Sequence, residues 1–131
     1  MVCSCAEGME ADFRVAFGKL GESVACEALT RAGYAILARR FRTRIGEIDI
    51  VCRDGPSVVF VEVKARTSTR YGDPAEAVTP RKQRRILTMA QIFLGRHRLE
   101  GKQCRFDVVS ILMPPGQAPT VRIIRDAFGA S

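Results

Sequence analysis

The sequence lacks any apolar run near the roughly 20 residues that a helix needs to span a bilayer. Its N-terminal segment contains Glu7 and Glu10 and has no apolar core, so it does not form a secretory signal. No linker, internal repeat or low-complexity tract divides the chain. We therefore expect a cytoplasmic protein without a membrane partner, with residues 1–11 as a disordered tail and residues 12–131 as one domain.

Histidine and paired cysteines are also scarce, which limits the chemistry. The one histidine, His97, lies between two arginines near a predicted helix end, and this favours a solvated surface position. The five cysteines are odd in number and scattered, so we expect reduced thiols. Cys3 and Cys5 have no second cysteine pair or nearby histidine to complete a zinc site.

Positive charge, in contrast, is present in excess. The formal net charge is +7, and residues 39–44 contain four arginines and no acid. Residues 62–105 carry eleven lysines or arginines against four acids. A basic region on a small domain indicates a polyanionic partner, nucleic acid first, while a solvated basic surface stays open as the alternative.

Hydrophobic periodicity predicts an α/β domain. Apolar residues at three- and four-residue steps predict a first helix at about 13–32, with Asp12 as its N-cap and Gly33 as its C-terminal stop. The other predicted elements are strands at about 34–42, 45–53 and 57–66, a loop at 67–79, a helix from Pro80 or Arg81 to about Arg96, and strands at about 104–112 and 120–125.

Charged residues interrupt the apolar second and third strands. The tetrapeptide Asp54–Ser57 is a hairpin-turn signal, and if its ends oppose each other, Asp49 directly opposes Glu62. Directly opposed residues share a sheet face, and the alternation of side chains adds Lys64 and Arg66 to that face. Because two ionised carboxylates that face each other are unfavourable, a cation is expected between them.

This pattern matches the needs of phosphodiester hydrolysis. Carboxylate oxygens suit Mg²⁺ (or Mn²⁺), so Asp49 and Glu62 are candidate ligands, with the Val63 carbonyl as an extra oxygen. Lys64 could orient or deprotonate the attacking water and neutralise developing charge. Glu22 has small or apolar neighbours one helical turn away, which predicts an inward carboxylate that could complete the metal shell. The alternative is an exposed pair of opposite charges on a solvated sheet face.

Two basic segments could contact phosphates. In the first predicted strand, arginines alternate with Phe41 and Thr43, so their guanidinium groups are expected on one face. The first turn of the second helix, residues 81–85, contains four cations that oppose the helix dipole, which favours a bound phosphate over a merely solvated turn. The predicted nucleic-acid-binding residues are Arg40, Arg42, Arg44, Arg66, Lys82 and Arg85.

Several motifs together resemble a known bacterial family. They are Gly21-Glu22 in the first helix, Arg39-Arg40-Phe41-Arg42, Gly46-Glu47-Ile48-Asp49, Phe60-Val61-Glu62-Val63-Lys64-Ala65-Arg66, Tyr71-Gly72-Asp73-Pro74, and Ala77-Val78 before Lys82 and Arg85. Over about residues 13–125 the chain resembles the YraN-like uncharacterised bacterial family. That family is similar to archaeal Holliday-junction resolvases and belongs with the PD-(D/E)XK nuclease superfamily.

The resemblance implies a mixed central sheet of about five strands flanked by helices, with a restriction-endonuclease-like core. It also implies a metal site carried onto Glu22, Asp49 and Glu62, together with Lys64. The nominal Pro-Asp of the superfamily is Ile48-Asp49 here, which leaves the ligand intact. Resolvases of this type cut symmetric junctions as dimers, so a homodimer is compatible with the resemblance, although no sequence feature demonstrates one.

We therefore expect a Mg²⁺- or Mn²⁺-dependent endodeoxyribonuclease that hydrolyses phosphodiester bonds in structured or branched DNA. Its expected catalytic residues are Asp49, Glu62 and Lys64. One alternative is a non-catalytic nucleic-acid-binding module with the same fold. The other is a protein-interaction or structural domain whose acidic cluster only forms salt bridges.

Overall fold

The fold is a mixed five-stranded sheet with a helix on each face, as expected from the sequence. The computed structural model describes residues 18–67 and 78–128. Helix α1 covers described residues 18–31 and precedes the first three strands. The elements that follow are β1 (Ala35–Arg42), β2 (Glu47–Asp54), β3 (Ser57–Arg66), α2 (Pro80–Arg96), β4 (Gln103–Leu112) and β5 (Thr120–Phe128).

Sheet order follows chain order, and one connection is parallel. Strands β1, β2 and β3 pair antiparallel in sequence, and β4 and β5 form a second antiparallel pair. Strand β3 pairs parallel with β4, so the chain must return across the sheet between them, and α2 lies in this crossover. The α/β class and the mixed sheet are thus confirmed.

The β2–β3 turn sets the register on which the candidate site depends. Asp54 pairs with Ser57, so the connection is a two-residue turn, as predicted. Gly55 has a φ of 57°, in the left-handed region. Because the ring of Pro56 fixes a negative φ, this combination corresponds to a type II′ turn, whose twist suits a hairpin.

Two apolar clusters cover the two faces of the sheet. Val58 and Phe60 of β3 face α2, whereas Val59 and Val61 face α1, as the alternation of a strand requires. On one side, α2 buries Ile86, Met89, Ala90 and Phe93 against Val51, Phe106 and Val108. On the other side, α1 buries Ala25 and Leu29 against Ile50, Cys52, Val109 and Ile111. Glu62 therefore continues the row of β3 residues that faces α2.

The helix boundaries follow from local signals. Gly33 ends α1 with a φ of 95°, and the amide of Tyr34 bonds back to the Leu29 carbonyl at 3.0 Å. The Thr79 hydroxyl accepts the Lys82 amide at 3.2 Å, and Pro80 occupies the first helical turn of α2. Neither described helix is long and apolar enough to cross a membrane.

The alternation predicted for the first strand is wrong at Arg40. Arg40 has a φ of 53°, so the regular pleat is interrupted there, and Arg44 lies beyond the end of β1. As a result, the three guanidinium groups predicted on one face do not form such a row. The predicted tail at 1–11, the Asp12 cap, the start of the first helix and most of the 67–79 loop lie outside the described residues.

Candidate active site

The antiparallel pairing of β2 with β3 stops at the candidate site. The ladder runs from Asp54↔Ser57 to Ile50↔Val61, so it ends one position before the predicted pairing of Asp49 with Glu62. Beyond this point the Val63 amide of β3 bonds to a side chain of β2 and not to its main chain. It donates a hydrogen bond to Asp49 Oδ2 at 2.8 Å. The Asp49 carboxylate is thus tied to the strand that carries Glu62.

The negative charge of Asp49 is poorly compensated by the groups around it. Burial raises the pKa of Asp49 to about 7, and the negative charge of Glu62 adds to this increase. The Val63 hydrogen bond and the charge of Lys82 act in the opposite direction without cancelling it. A carboxyl group with such a pKa is short of positive charge and would gain from a nearby cation.

Glu62 is held by two lysines. The residue is only 9% exposed, so the alternative of a solvated sheet face does not describe it. Its Oε1 accepts a hydrogen bond from the Lys82 ammonium, which reaches down from the first turn of α2. Lys64 Nζ lies 3.4 Å from the same oxygen. The strand pair and the start of α2 thus bring two acids and two lysines together.

The two lysines differ in how firmly they hold their protons. Burial lowers the pKa of Lys64, and the neighbouring Lys82 lowers it further, against the attraction of Glu62. Burial also disfavours the charged form of Lys82, but its hydrogen bond to Glu62 and the charges of Glu62 and Asp49 together outweigh burial, and the pKa is raised. Lys64 is therefore the lysine better able to exchange a proton, and Lys82 is the more permanent charge.

Glu22 points inward, as its helical phase predicts, but its oxygens are bound by arginines. The residue is 8% exposed. Arg39 Nε donates to Glu22 Oε1 at 3.1 Å, and Arg40 Nε donates to Glu22 Oε2 at 2.8 Å. Glu22 belongs to α1, whereas Lys82 belongs to α2 on the other face of the sheet.

The donor atoms of Asp49 and Glu62 are of the kind that a divalent cation prefers. In the described parts of the chain, 18–67 and 78–128, no three acidic, cysteine or histidine side chains gather closely enough to hold a metal ion. Mg²⁺ does not require three, since it typically takes one or two carboxylates and keeps several waters. The oxygen donors and the uncompensated charge of Asp49 both suit such an ion. Asp49 and Glu62 are therefore the residues that could hold it.

The predicted phosphate contacts are spread around this centre. Arg42 donates to Glu47 Oε2 at 2.8 Å, and Arg44 is exposed in the β1–β2 loop. Exposed Arg85 lies against this loop, because a Cβ on Gly46 would be 3.1 Å from its Cδ. Arg66 lies at the end of β3, where its carbonyl accepts the Met113 amide at 2.7 Å. Lys82 is in direct contact with Glu62, and Arg40 with Glu22.

Comparison with known proteins identifies the family. The model of the uncharacterised protein family UPF0102 matches residues 21–111, which include every candidate site residue. The chain belongs to family UPF0102. This confirms the resemblance that the motifs indicate.

Relatives of the UPF0102 family match most of the chain. A UPF0102 protein of Symbiobacterium thermophilum is 49% identical over 113 residues, covering 86% of this chain and 96% of its own. One from Geobacter metallireducens is 51% identical over 111 residues, covering 85% and 90%. One from Rhodococcus opacus is 45% identical over 114 residues, covering 87% and 97%. Their names state the family and no activity.

In this UPF0102 chain, Lys82 has a position that the sequence reasoning missed. It was expected only as one of several phosphate contacts at a helix start, yet it binds Glu62 directly. The available signal was the group of cations in the first turn of α2, which helix propensity does not explain. The contact with Glu62 across the crossover accounts for one of these cations, Lys82.

A second buried carboxylate, Asp107, has a structural role in this UPF0102 fold. It is fully buried and accepts hydrogen bonds from the Tyr34 hydroxyl, from two nitrogens of Arg105 and from the Asp126 amide. Burial and the bond to Asp107 raise the pKa of Tyr34 to about 12. Because Arg105 also pairs with Asp54 at 2.9 Å, the network joins β4 to the hairpin turn. Its oxygens are satisfied within the fold.

Proposed function

We propose that this protein is a metal-dependent nuclease that hydrolyses phosphodiester bonds in structured or branched DNA. The observation that carries the proposal is the convergence of Asp49, Glu62 and Lys64 at the point where β2 and β3 stop pairing. A partly desolvated acid pair beside a lysine of lowered pKa is an arrangement suited to metal-assisted hydrolysis.

Asp49 and Glu62 would hold a Mg²⁺ or Mn²⁺ ion, which supplies Lewis acidity at the scissile phosphate and a more acidic bound water. The Val63 amide fixes the Asp49 carboxylate, so one ligand is oriented before any ion arrives. Orientation of this kind limits the reorganisation needed during the reaction.

Lys64 and Lys82 would share the remaining chemistry. Lys64 is near Glu62 and has a lowered pKa, so it can orient the attacking water and accept its proton. Lys82 keeps its charge and stabilises the negative charge that develops on the phosphate. Both ammonium groups approach the same oxygen of Glu62, which would place them on one side of the reacting phosphate.

Substrate phosphates would be held by the basic residues around the centre. The contact between Arg85 and Gly46 makes the start of α2 and the β1–β2 loop one continuous surface. Arg42 and Arg44 belong to the same loop region, and Arg66 is the last residue of β3, the strand that carries Glu62. Contacts of this type bind the backbone without reading the base sequence, which suits recognition of DNA shape.

The test is a cleavage assay on four-way junction, flap and linear duplex DNA with Mg²⁺, Mn²⁺ or EDTA. We expect cleavage only with a divalent ion, loss of cleavage in Asp49→Asn and Glu62→Gln, and a decrease of roughly 10²- to 10⁴-fold in Lys64→Met. Glu27→Gln is the matched control, because it removes an exposed carboxylate of α1 whose ion-pair partner among the described residues is Arg31. Cleavage that persists in Asp49→Asn, or in EDTA, would refute the proposal.

A non-catalytic nucleic-acid-binding module is the second candidate, and one observation favours it. Glu62 and Glu22 are already paired with cationic side chains of the protein itself. This candidate predicts DNA binding in EDTA, a steep fall of affinity with salt, and no cleavage under any condition. If no nucleic acid binds at low salt, both candidates fail.

A further inference from the structure

Two consecutive residues of β1 reach the same carboxylate. Arg39 and Arg40 each donate their Nε to a different oxygen of Glu22, at 3.1 and 2.8 Å. In a regular strand, successive side chains point to opposite faces, so neighbours do not converge in this way. The backbone of β1 must therefore depart from regular geometry to make this contact.

The departure is the left-handed conformation of Arg40, with a φ of 53°. It also explains the packing on either side, because Ala38 and Phe41 both lie against the cluster that faces α2 although they are three residues apart. A non-glycine residue in this region is uncommon and typically costs of order 1 kcal/mol or more. This cost is offset by the contact that the conformation allows between the Arg40 guanidinium and Glu22.

The environment of Arg40 links Glu22 to the acid pair. Arg39 pairs with Ile50 and Phe41 with Ile48, so Arg40 lies next to Asp49 on the neighbouring strand. The hydrogen bond to Glu22 raises the pKa of Arg40, and the charges of Glu47 and Asp49 add to the increase. Its Nε is engaged by Glu22. Its two terminal nitrogens make no hydrogen bond within the described residues, and the side chain is 37% exposed.

We propose that Arg40 binds a phosphate of the DNA beside the reacting centre, and that Glu22 is the residue that positions it rather than a metal ligand. This inference rests on the proposed nuclease function. A guanidinium held through Nε still presents its two terminal nitrogens as a fork, the geometry that matches two phosphate oxygens.

The bonding of Glu22 supports this division of roles. One guanidinium lies against each carboxylate oxygen of Glu22, so a metal ion bound there would be opposed by two neighbouring positive charges. Two arginines around one acid also leave a net positive charge, which favours an anion at this end of the site. At Asp49, by contrast, burial and the charge of Glu62 raise the pKa, which favours a cation beside that carboxyl group.

The test compares metal binding with DNA binding in the same variants. Mn²⁺ affinity is measured by titration calorimetry in the absence of DNA, and junction affinity is measured in EDTA over a range of salt. Arg40→Gly removes the guanidinium while keeping a residue that adopts a positive φ without strain. Glu22→Gln removes the positioning charge, and Arg31→Ala is the control for loss of one exposed cation of α1.

We expect Glu22→Gln and Arg40→Gly to leave the Mn²⁺ affinity within about threefold of wild type and to weaken junction binding by roughly tenfold or more. Arg40→Gly should also reduce the slope of log K against log salt by about 0.9, the value for one phosphate contact, and Arg31→Ala should not. A tenfold or larger loss of Mn²⁺ affinity in Glu22→Gln would make Glu22 a ligand and overturn the inference, as would unchanged junction binding in Arg40→Gly.

Failure of the nuclease proposal itself gives a different result. If the wild-type protein binds junctions but never cleaves them, the catalytic proposal fails while the Arg40 contact is still decided by the binding and salt data. If the wild type binds no DNA at low salt, the Arg40 contact is refuted together with it. Circular dichroism and urea unfolding of each variant show whether the fold is retained.

Discussion

Replacing Asp49 by Asn should stabilise the metal-free protein at neutral and alkaline pH. The folded-state pKa of Asp49 is about 7, against 3.8 for the free side chain. Between these values the folded state binds a proton that the unfolded state has released, so the stability contributed by this group falls as the pH rises through that window. Asn at this position has no charge to lose and can still accept the Val63 amide.

The magnitude follows from the size of the shift. A difference of about three pKa units corresponds to about 4 kcal/mol at pH above 7, and this is a ceiling because Asp49 is only partly buried. We compare the free energies of unfolding of Asp49→Asn and wild type at each pH. The advantage of Asp49→Asn should be roughly 2 to 4 kcal/mol larger at pH 8 than at pH 4. Urea unfolding of both proteins at several pH values measures this advantage. Groups that titrate alike in the two proteins contribute equally to both free energies and cancel in the difference.

Divalent metal should offset part of this effect. At about ten times its dissociation constant, a bound ion adds about 1.4 kcal/mol to the stability of the folded state, so Mg²⁺ or Mn²⁺ should stabilise wild type and have much less effect on Asp49→Asn. Glu27→Gln, which lacks an exposed carboxylate, should respond to metal like the wild type. A difference between Asp49→Asn and wild type that is independent of pH would refute the electrostatic reasoning. An equal response of both to metal would refute Asp49 as a ligand.

The remaining predictions concern metal affinity and packing. Mn²⁺ affinity in calorimetry should rise by up to about tenfold per pH unit until about pH 7 and then level, because the ion must displace the proton of Asp49; a flat profile would contradict this. In urea unfolding, Gly18→Ala should stabilise α1 by about 0.5–1 kcal/mol, since no atom of the described residues lies within 4 Å of its new methyl group. Gly21→Ala should destabilise the protein by a similar amount, because its methyl would be 3.0 Å from the Ala65 Cβ. An increase in stability would contradict this and show that β3 shifts at little cost. Asp107→Asn should cost roughly 3–5 kcal/mol by removing the charge partner of a buried network, with Mn²⁺ affinity unchanged; a loss of metal affinity would contradict its purely structural role.

The parts of the site that could be predicted from sequence are those set by local geometry. The two-residue turn at Asp54–Ser57 fixes the β2–β3 register, and strand alternation then assigns Glu62 to the face of α2. The inward direction of Glu22 likewise follows from helical phase. Each of these inferences needs only a few neighbouring residues.

The parts that could not be predicted depend on contacts between distant residues. Lys82 binds Glu62 across the crossover between β3 and α2, and no sequence period encodes that distance. An arginine does not indicate a left-handed backbone, as a glycine or asparagine would. The conformation of Arg40 goes with its contact to Glu22 and with the packing of Phe41, which the sequence does not show. The early end of the β2–β3 ladder depends on a side chain taking the place of a main-chain acceptor.

Irregular backbone alone does not distinguish the candidate site from the rest of the fold. Asp126 has a φ of 53°, like Arg40, and β4 and β5 change register between Phe106 and Val108. There, however, Asp107 accepts four hydrogen bonds, and the irregularity is accounted for by a satisfied network. Asp49 has one bond from Val63, and burial and the charge of Glu62 raise its pKa to about 7. The unmet charge of an acid at the end of a strand ladder is therefore what indicates function, because a fold alone has no reason to retain it.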